Sequence, residues 1–317
     1  MTIKLDLKDK KILYQLDINS RQSNSEIAKK VGLSKNVVKY RISRLEKSGL
    51  IENYYALLNT SKLGFMYCRL FFKFSGMSIE KEKEIADYVL KLPRISWAST
   101  FEGTWNFGAV ILARNLNELN DTYQNILSKY NDYIINREVS IAIRIHHFCN
   151  RFVTNINDET SWVIGGDDFS SQIDETDEKI LEVLKENCRT ELLKIAKELS
   201  LTPKAISYRI KKLVREGFIL AFRYKLNHMI AGYSHYHILW YLKNTSTKNK
   251  DALINYLKTL PNITYITEAM GSMDLECDMM VTSQNQLHEI IRKIKFDFPD
   301  MIKDYNLFLV PDVFRIF

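Results

Sequence analysis

The sequence has few cysteines, and they form no pattern that would support a cross-linked or metal-bound fold. None belongs to a C-x-x-C pair, which argues against both a disulfide framework and a zinc site. We therefore expect reduced thiols in a cytoplasmic protein that holds no metal and no cofactor. The four cysteines among the 317 residues are Cys68, Cys149, Cys188 and Cys277.

Long apolar runs and targeting segments are missing as well. No uninterrupted apolar stretch approaches the roughly 20 residues that span a bilayer. Residues 1–6 lack the apolar core of a signal peptide. The loops G-x-x-x-x-G-K-[ST] and G-x-G-x-x-G, which are typical of nucleotide phosphate binding, do not occur. We expect a protein without a membrane partner.

The length and the charge allow several kinds of protein. A chain of 317 residues predicts about two to four domains. The net charge of +7 favours an anionic partner only if the basic residues are clustered. Composition alone does not separate a nucleic-acid binder from a basic enzyme.

The chain is a tandem duplication. Matching segments recur at a constant offset of 168 residues, which indicates a gapless repeat of a whole multi-domain unit. The matches are Lys11-Ile12-Leu13 with Lys179-Ile180-Leu181, Ile27-Ala28-Lys29 with Ile195-Ala196-Lys197, Tyr40-Arg41-Ile42 with Tyr208-Arg209-Ile210, and Gly49, Gly64, Pro93 and Gly103 with Gly217, Gly232, Pro261 and Gly271.

Each copy begins with the pattern of a helix-turn-helix. In the first copy, Asp6 is the expected N-cap of helix one, and Ser23 opens a capping box with Glu26 for helix two. Gly32 is expected to end helix two, and Ser34 to cap a third helix that runs to about residue 47. The second copy uses Thr202 as this cap, with proline next. The β-rich runs that follow, 54–58 and 222–226, predict a wing hairpin in each copy.

The third helix of each copy has the chemistry of a helix that reads the DNA major groove. Its buried stripe leaves an outward face of amide, hydroxyl and basic side chains, which suit base edges and phosphates. A basic outward face is more often only a solvated one, but its recurrence in both copies favours DNA. The expected DNA-binding residues are Ser34, Lys35, Asn36, Lys39, Tyr40, Ser43, Arg44 and Lys47 in the first copy, and Thr202, Lys204, Ser207, Tyr208, Lys211, Lys212 and Arg215 in the second.

Two features of these helices need separate treatment. Arg41 and Arg209 lie at the edge of the buried stripe, where a structural salt bridge and a phosphate contact are equally reasonable. The outward faces of the two copies also differ, which predicts an asymmetric DNA site rather than a perfect palindrome.

These segments resemble the winged helix-turn-helix of the leucine-responsive regulator family, Lrp/AsnC, of bacteria and archaea. The strings that carry the resemblance are L-D-x-x-D-K-K-I-L, E-I-A-K-K-V-G-L-S and V-K-Y-R-I-S-R-L-E-K-S-G-L-I, with I-D-E-T-D-E-K-I-L and Y-R-I-K-K-L-V-R-E-G-F-I in the second copy. The resemblance covers nearly the whole chain except the linker. It implies a transcription regulator that binds double-stranded DNA. The chain departs from typical members, which carry one copy and dimerise.

The rest of each copy has the β-α-β-β-α-β pattern of a ferredoxin-like domain. The fold class is therefore α+β, with two winged helix-turn-helix domains that are each followed by a ferredoxin-like domain. A segment rich in Gly, Asn, Asp and Ser separates the copies. The expected boundaries are 1–60 and 61–150 for the first copy, 151–172 for the linker, and 173–228 and 229–317 for the second copy.

The resemblance also implies dimerisation through the ferredoxin-like sheets and an amino-acid effector near a G-x-x-D turn. That turn occurs as Gly271, Ser272, Met273 and Asp274, and in altered form as Gly103, Thr104, Trp105 and Asn106. Asn106 cannot supply the carboxylate, and Trp105 would narrow a pocket, so the second copy is the better candidate. A turn of this kind is also ordinary hairpin chemistry.

Enzyme functions rank lower. None of the six histidines has an acidic or cysteine companion at a recognisable ligand or triad spacing, so we expect sheet or interface histidines and no catalytic residues. The serious alternative is a siroheme decarboxylase, which has the same architecture and an Arg/His-containing loop. The corresponding segments here, 99–105 and 267–271, contain neither Arg nor His. A third alternative is an amino-acid sensor or assembly module with a helix-turn-helix remnant.

Overall fold

A computed structural model describes residues 3–166, 173–243 and 245–311, and the backbone of 313–316. These residues form two compact units. The first consists of Met1–Leu63, His147–Val163 and Asp168–Tyr233, and the second of Gly64–His146, Ile164–Asp167 and Ser234–Phe317. The grouping follows the type of domain, because each unit takes one part from each copy. Of the expected linker, residues 167–172 lie outside the described part of the chain.

The first unit contains the two helix-turn-helix segments. Its elements are α1 (Leu7–Asn19), α2 (Asn24–Val31), α3 (Lys35–Lys47), β1 (Ile51–Leu58), α6 (Arg151–Thr154), α7 (Glu175–Glu186), α8 (Leu192–Glu198), α9 (Pro203–Arg215) and β8 (Ile219–Leu226). The expected caps are confirmed. Asp6 and Ser23 each form a capping box, Gly32 ends α2 in the left-handed region at φ 65°, and Ser34 caps α3.

The strand that follows each helix-turn-helix pairs with its counterpart in the other copy. β1 and β8 form an antiparallel two-stranded sheet in which Tyr55 lies opposite Arg223, its own equivalent. The expected strands are present, but the expectation of a wing hairpin within each copy was wrong. A β-rich run predicts that a strand forms and which of its faces is buried. The strand with which it pairs depends on the rest of the chain.

Backbone hydrogen bonds repeat on the two sides of this sheet. Ser20 N–H donates to Phe222 C=O, and the equivalent Cys188 N–H donates to Tyr54 C=O. The helices and strands of both copies also share one buried hydrophobic cluster. The two helix-turn-helix segments are therefore one pseudo-twofold body, and α3 and α9 occupy equivalent places in it.

The start of the linker is part of the same unit. Asp17 and Arg223 form a buried ion pair with 2.7 Å between carboxylate and guanidinium, and both contact the backbone just before the linker. The Asn150 N–H donates to Asp17, and Arg223 donates to the Phe148 carbonyl. The ring of Trp162, within the linker, packs under the Arg223 guanidinium at 4.8 Å.

The second unit contains both ferredoxin-like segments. Its elements are β2 (Met66–Phe74), α4 (Ile79–Lys91), β3 (Ile95–Thr100), β4 (Glu102–Gly103), β5 (Phe107–Ala113), α5 (Leu116–Tyr130), β9 (Ser234–Leu242), α10 (Thr247–Thr259), β10 (Ile263–Gly271), β11 (Leu275–Val281), α11 (Gln284–Asp297), β12 (Ile302–Leu309) and β13 (Val313–Ile316), while β6 (Ile134–Phe148) and β7 (Ser161–Gly165) each have residues in both units. The β-α-β-β-α-β order is confirmed in both copies. Among the described residues, no helix has the length and apolar character needed to cross a membrane.

The strands of the two copies form one sheet that closes on itself. Their order is β13-β3-β5-β2-β6-β10-β11-β9-β12-β4. β3 and β4 follow each other along one edge of the sheet, and β12 and β13 follow each other along the other edge. β13 pairs with β3 and β12 pairs with β4, so the two edges are joined. The face turned away from the helices holds an aromatic cluster in which the Phe101 and Phe308 rings lie 4.5 Å apart.

Two equivalent glycines allow the sheets of the copies to meet. A Cβ added to Gly271, at φ +140°, would lie 2.5 Å from the Val139 carbonyl oxygen on β6. A Cβ added to Gly103, at φ +150°, would lie 2.9 Å from the Leu307 carbonyl oxygen on β12. Both the backbone conformation and the close approach therefore require glycine.

We expect Gly271→Ala to destabilise the second unit by about 1–3 kcal/mol, because it adds backbone strain and a clash across the junction. The matched control is Gly166→Ala, where φ is +118° but a Cβ would meet nothing within 4 Å. Denaturant unfolding of the full chain measures the difference. Equal losses for the two variants would contradict a role in joining the copies.

Candidate nucleic-acid interface

The third helix of each copy is amphipathic in the way the sequence predicts. In α3, Val38, Ile42 and Leu45 are buried. In α9, Ile206, Ile210 and Leu213 occupy the equivalent buried positions. The opposite stripe of each helix faces solvent, and we call α3 and α9 the recognition helices.

The predicted DNA-binding residues lie together on these exposed stripes. Tyr40 and Tyr208 are at the centre, with 68% and 65% of their surface exposed. A large aromatic residue left in solvent at equivalent places of both copies does not contribute to the core and is available to a partner. The other exposed residues are Ser34, Lys35, Asn36, Lys39 and Lys47 in α3 and its cap, and Thr202, Lys204, Lys211 and Arg215 in α9 and its cap, while Ser43, Arg44, Ser207 and Lys212 are half-buried.

Arg41 and Arg209 form salt bridges inside the protein. The Arg41 guanidinium contacts Asp6 at 2.7 Å and Asp9 at 2.8 Å, which ties the recognition helix to the start of α1. Arg209 makes the same pair of contacts in the second copy, at 2.6 and 2.8 Å. The Asp9 backbone N–H and the Arg41 guanidinium lower the pKa of the Asp6 carboxyl. Of the two roles considered for these arginines, the structure shows the salt bridge.

Arg44 and Lys212 combine an internal contact with partial exposure. Arg44 reaches the buried carboxylate of Asp9 at 2.5 Å, and the ammonium of Lys212 lies 3.8 Å from Asp177. Their side chains are still 39% and 33% exposed. Each therefore lies at the margin of its stripe and extends the basic character around the exposed tyrosine.

The glycine-turn residues expected near an effector have structural partners. The Asp274 carboxylate accepts a hydrogen bond from the Leu242 N–H at 2.8 Å. The equivalent Asn106 accepts from the Phe74 N–H and donates to the Phe74 carbonyl, both at 2.8 Å. Asn106 therefore holds its hairpin to the neighbouring strand by side-chain hydrogen bonds, as Asp274 does in the second copy. Trp105 is buried in the aromatic cluster, and Ser272 is exposed.

Sequence inspection missed a buried polar network inside the closed sheet. His237 contacts Glu276 at 3.2 Å and also Asp278, and Arg69 forms a short contact with Glu276. His235 lies 3.4 Å from Asp278. These acids are cross-strand neighbours and are far from the histidines in sequence, so no local spacing could reveal them. These histidines lie on strands, as expected, and their acidic partners come from neighbouring strands rather than from nearby positions in the sequence.

A second histidine–carboxylate pair joins β6 to β10, where His146 lies 2.9 Å from Glu268. Together these contacts connect strands of different copies through charged groups. Among the described residues, no group of three or more His, Cys, Asp or Glu side chains is arranged to hold a metal ion.

The network shifts the protonation of its members. Burial opposes the charged form of His237, but the Asp278 and Glu276 carboxylates outweigh it and raise the pKa of His237. Burial likewise disfavours ionised Asp278, yet His235 and His237 hold its pKa well below the usual value. Burial alone would raise the pKa of Glu276, but the positive charges of Arg69 and His237 and the hydrogen bonds to Glu276 together outweigh burial, so this pKa is lowered. The charged forms of these groups stabilise one another.

Comparison with known proteins places the helix-turn-helix segments in a family. A family model described as winged helix-turn-helix DNA-binding matches residues 5–52 and 173–219. The HTH-type transcriptional regulator LrpA of Pyrococcus horikoshii is 32% identical over 127 residues, which are 39% of this chain and 87% of that protein. The HTH-type transcriptional regulator LysM of Saccharolobus solfataricus is 30% identical over 128 residues, 40% of this chain and 86% of that protein.

Some solved structures are similar along nearly the whole chain. The siroheme decarboxylase NirDL matches with a TM-score of 0.65 over 98% of this chain and 92% of that one, at 15% sequence identity. An identity this low shows a shared fold alone. The similarity means that a decarboxylase and this chain use the same architecture of two helix-turn-helix and two ferredoxin-like segments.

We expect the stability of the second unit to fall as the pH rises above 6.5, the ordinary pKa of histidine. A raised folded-state pKa contributes stability that is fully present below the unfolded-state pKa and is lost as the pH rises through the folded-state pKa. The measurement is the thermal midpoint of the full chain across this range.

The variant His237→Gln should flatten that decline, whereas His288→Gln, which changes an exposed histidine on α11, should leave it unchanged. Parallel pH profiles for wild type and His237→Gln would show that His237 does not carry the effect.

Proposed function

Because the chain belongs to the Lrp/AsnC family of helix-turn-helix transcription regulators, we propose that it binds double-stranded DNA sequence-specifically and thereby controls transcription. The recognition helices enter the major groove, and the ferredoxin-like unit is the scaffold. The observation that carries this proposal is the pair of exposed, basic and aromatic stripes on equivalent helices of one body.

The side chains of the two stripes suit such a partner. Asn36 offers an amide that can pair with adenine, and the lysines and arginines suit guanine and phosphate groups. The tyrosine hydroxyls add neutral hydrogen-bonding groups at the centre. Since β1 and β8 pair within one chain, a single molecule carries both stripes before it binds DNA. Binding of one half-site then raises the effective concentration of the second recognition helix at the other.

We expect the double variant Tyr40→Ala, Tyr208→Ala to weaken specific binding about tenfold while changing non-specific binding much less, because the tyrosines contribute to base reading. The control is Phe296→Ala, which removes a side chain that is 83% exposed in the second unit. Gel-shift titrations with selected and random duplexes measure both affinities. Equal loss on both duplexes would remove the tyrosines from base reading.

The same titrations at several salt concentrations test the electrostatic part of the proposal. Each phosphate contact contributes a slope of about −0.9 to the dependence of log affinity on log salt. We expect a steep decline for the wild type and a shallower one for Lys47→Ala with Arg215→Ala. Affinity that is independent of salt would contradict phosphate binding by these stripes.

A second candidate is a siroheme decarboxylase, which the whole-chain fold similarity and the buried histidine–carboxylate pairs favour. Two observations weigh against it. Segments 99–105 and 267–271 contain neither Arg nor His. Phe71, Phe101, Trp105 and Phe308 also fill part of the interior of the closed sheet. We therefore rank the regulator first.

Addition of siroheme to the purified chain separates the two candidates. For a DNA regulator we expect no stoichiometric change in the visible absorption band and no loss of carboxyl groups from the tetrapyrrole. Stoichiometric binding followed by decarboxylation would replace the regulator with the enzyme.

An amino-acid effector and a homo-oligomer rest on the family resemblance. The turn residues Asp274 and Asn106 hold their hairpins through backbone hydrogen bonds, and response to an amino-acid effector stays a prediction. The sheet edges of the two copies pair with each other inside one chain. A homo-oligomer, or a sensor and assembly role, would therefore use other surfaces of the second unit.

A further inference from the structure

The two recognition helices differ at the positions where base recognition is expected. Asn36 and Lys204 are equivalent residues, each the second residue of its helix, and both are exposed. The N-terminal residues of a recognition helix are the ones that contact base edges in helix-turn-helix complexes. The pseudo-twofold body therefore presents an amide on one side and an ammonium group at the matching place on the other.

The two stripes share some residues around this position and differ at others, namely Lys35 against Pro203, Lys39 against Ser207 and Ser43 against Lys211. Tyr40 and Tyr208 are identical at the next turn, and Lys47 and Arg215 both provide a cation at the helix end. Asn36 and Lys204 thus lie on a common background of one aromatic residue and one terminal cation. A difference in side-chain chemistry at a position that contacts base edges would change the base preference there.

The chemistry of the two side chains assigns different bases. An Asn amide donates to N7 and accepts from the N6 amino group of adenine, a pairing that no other base offers in the major groove. A Lys ammonium has donors only, so it suits the O6 and N7 acceptors of guanine and cannot accept from the adenine amino group. The two half-sites should differ by base type at one symmetry-related position.

We propose that Asn36 reads adenine and Lys204 reads guanine at the same distance from the centre of a bipartite DNA site. This inference rests on the proposed function and adds the base that each copy selects. The pair Ser43 and Lys211 differs as well and gives the site a direction. The wild-type site is then a near-palindrome with an adenine half and a guanine half.

Reciprocal substitution tests the assignment. Asn36→Lys alone should give a site with guanine in both halves, and Lys204→Asn alone a site with adenine in both. The double variant Asn36→Lys, Lys204→Asn keeps the net charge of the wild type. It should exchange the two bases while the direction set by Ser43 and Lys211 stays the same. In-vitro selection from a random duplex library with the full chain reveals the preferred bases.

The expected discrimination at the exchanged position is on the order of tenfold or more, measured by competition between duplexes that differ only there. If the double variant selects the same site as the wild type, Asn36 and Lys204 do not read these bases. A uniform loss of affinity for Lys204→Asn without any change in base preference would assign Lys204 to a phosphate, and would also overturn the inference.

The outcome is distinguishable from failure of the proposed function. A chain that selects no sequence at all, with intact folding by circular dichroism, contradicts DNA regulation itself. A chain that selects a strictly palindromic site supports DNA regulation but contradicts the assignment of different bases to the two copies.

Discussion

The antiparallel pairing of β1 with β8 is the interaction that the arrangement of the recognition helices depends on. Because Tyr55 lies opposite its equivalent Arg223, the register itself creates a pseudo-twofold axis. A shift of one residue would turn every side chain of the strand to the other face. That would remove Tyr54 and Tyr224 from the common core and change the spacing of α3 and α9. The geometry offered to a partner is thus set by a strand register and a shared core.

Features of the fold that arise from near neighbours could be predicted from the sequence. The Ser23 capping box, the left-handed Gly32 and the Ser34 cap are determined within four residues, and all three occur where expected. Period-two and 3.6-residue patterns gave the strands and helices for the same reason. The wing hairpin failed because Ile51–Leu58 pairs with a strand from the other copy, about half the chain away, and local alternation contains no information on that partner.

The buried network shows the same limit at the level of side chains. His237 and Asp278 are 41 residues apart in sequence but face each other on paired strands. Single-sequence spacing can find ligands on one helix or one loop, yet it cannot find pairs that a sheet brings together. The recognition stripes were predictable because each lies on a single helix. The sequence left Arg41 with two reasonable roles, a structural salt bridge or a phosphate contact. Its partners Asp6 and Asp9 lie at the start of another helix, so local spacing could not decide between them.

In a symmetric dimer, the residues that meet on the twofold axis must be identical. Duplication within one chain removes this constraint. A residue on a twofold axis meets its own copy, and two arginines brought together there without water would repel. Here Arg69 meets its equivalent His237 at 3.3 Å, while Ser20 meets its equivalent Cys188 at 3.1 Å. Each pair is chemically unlike. Glu276 contacts both groups of the first pair, and the Asp278 and Glu276 carboxylates outweigh the repulsion that Arg69 exerts on the cationic form of His237. Once the buried pairs differ, the copies are no longer interchangeable, and the exposed positions on α3 and α9 are free to diverge without loss of the common scaffold.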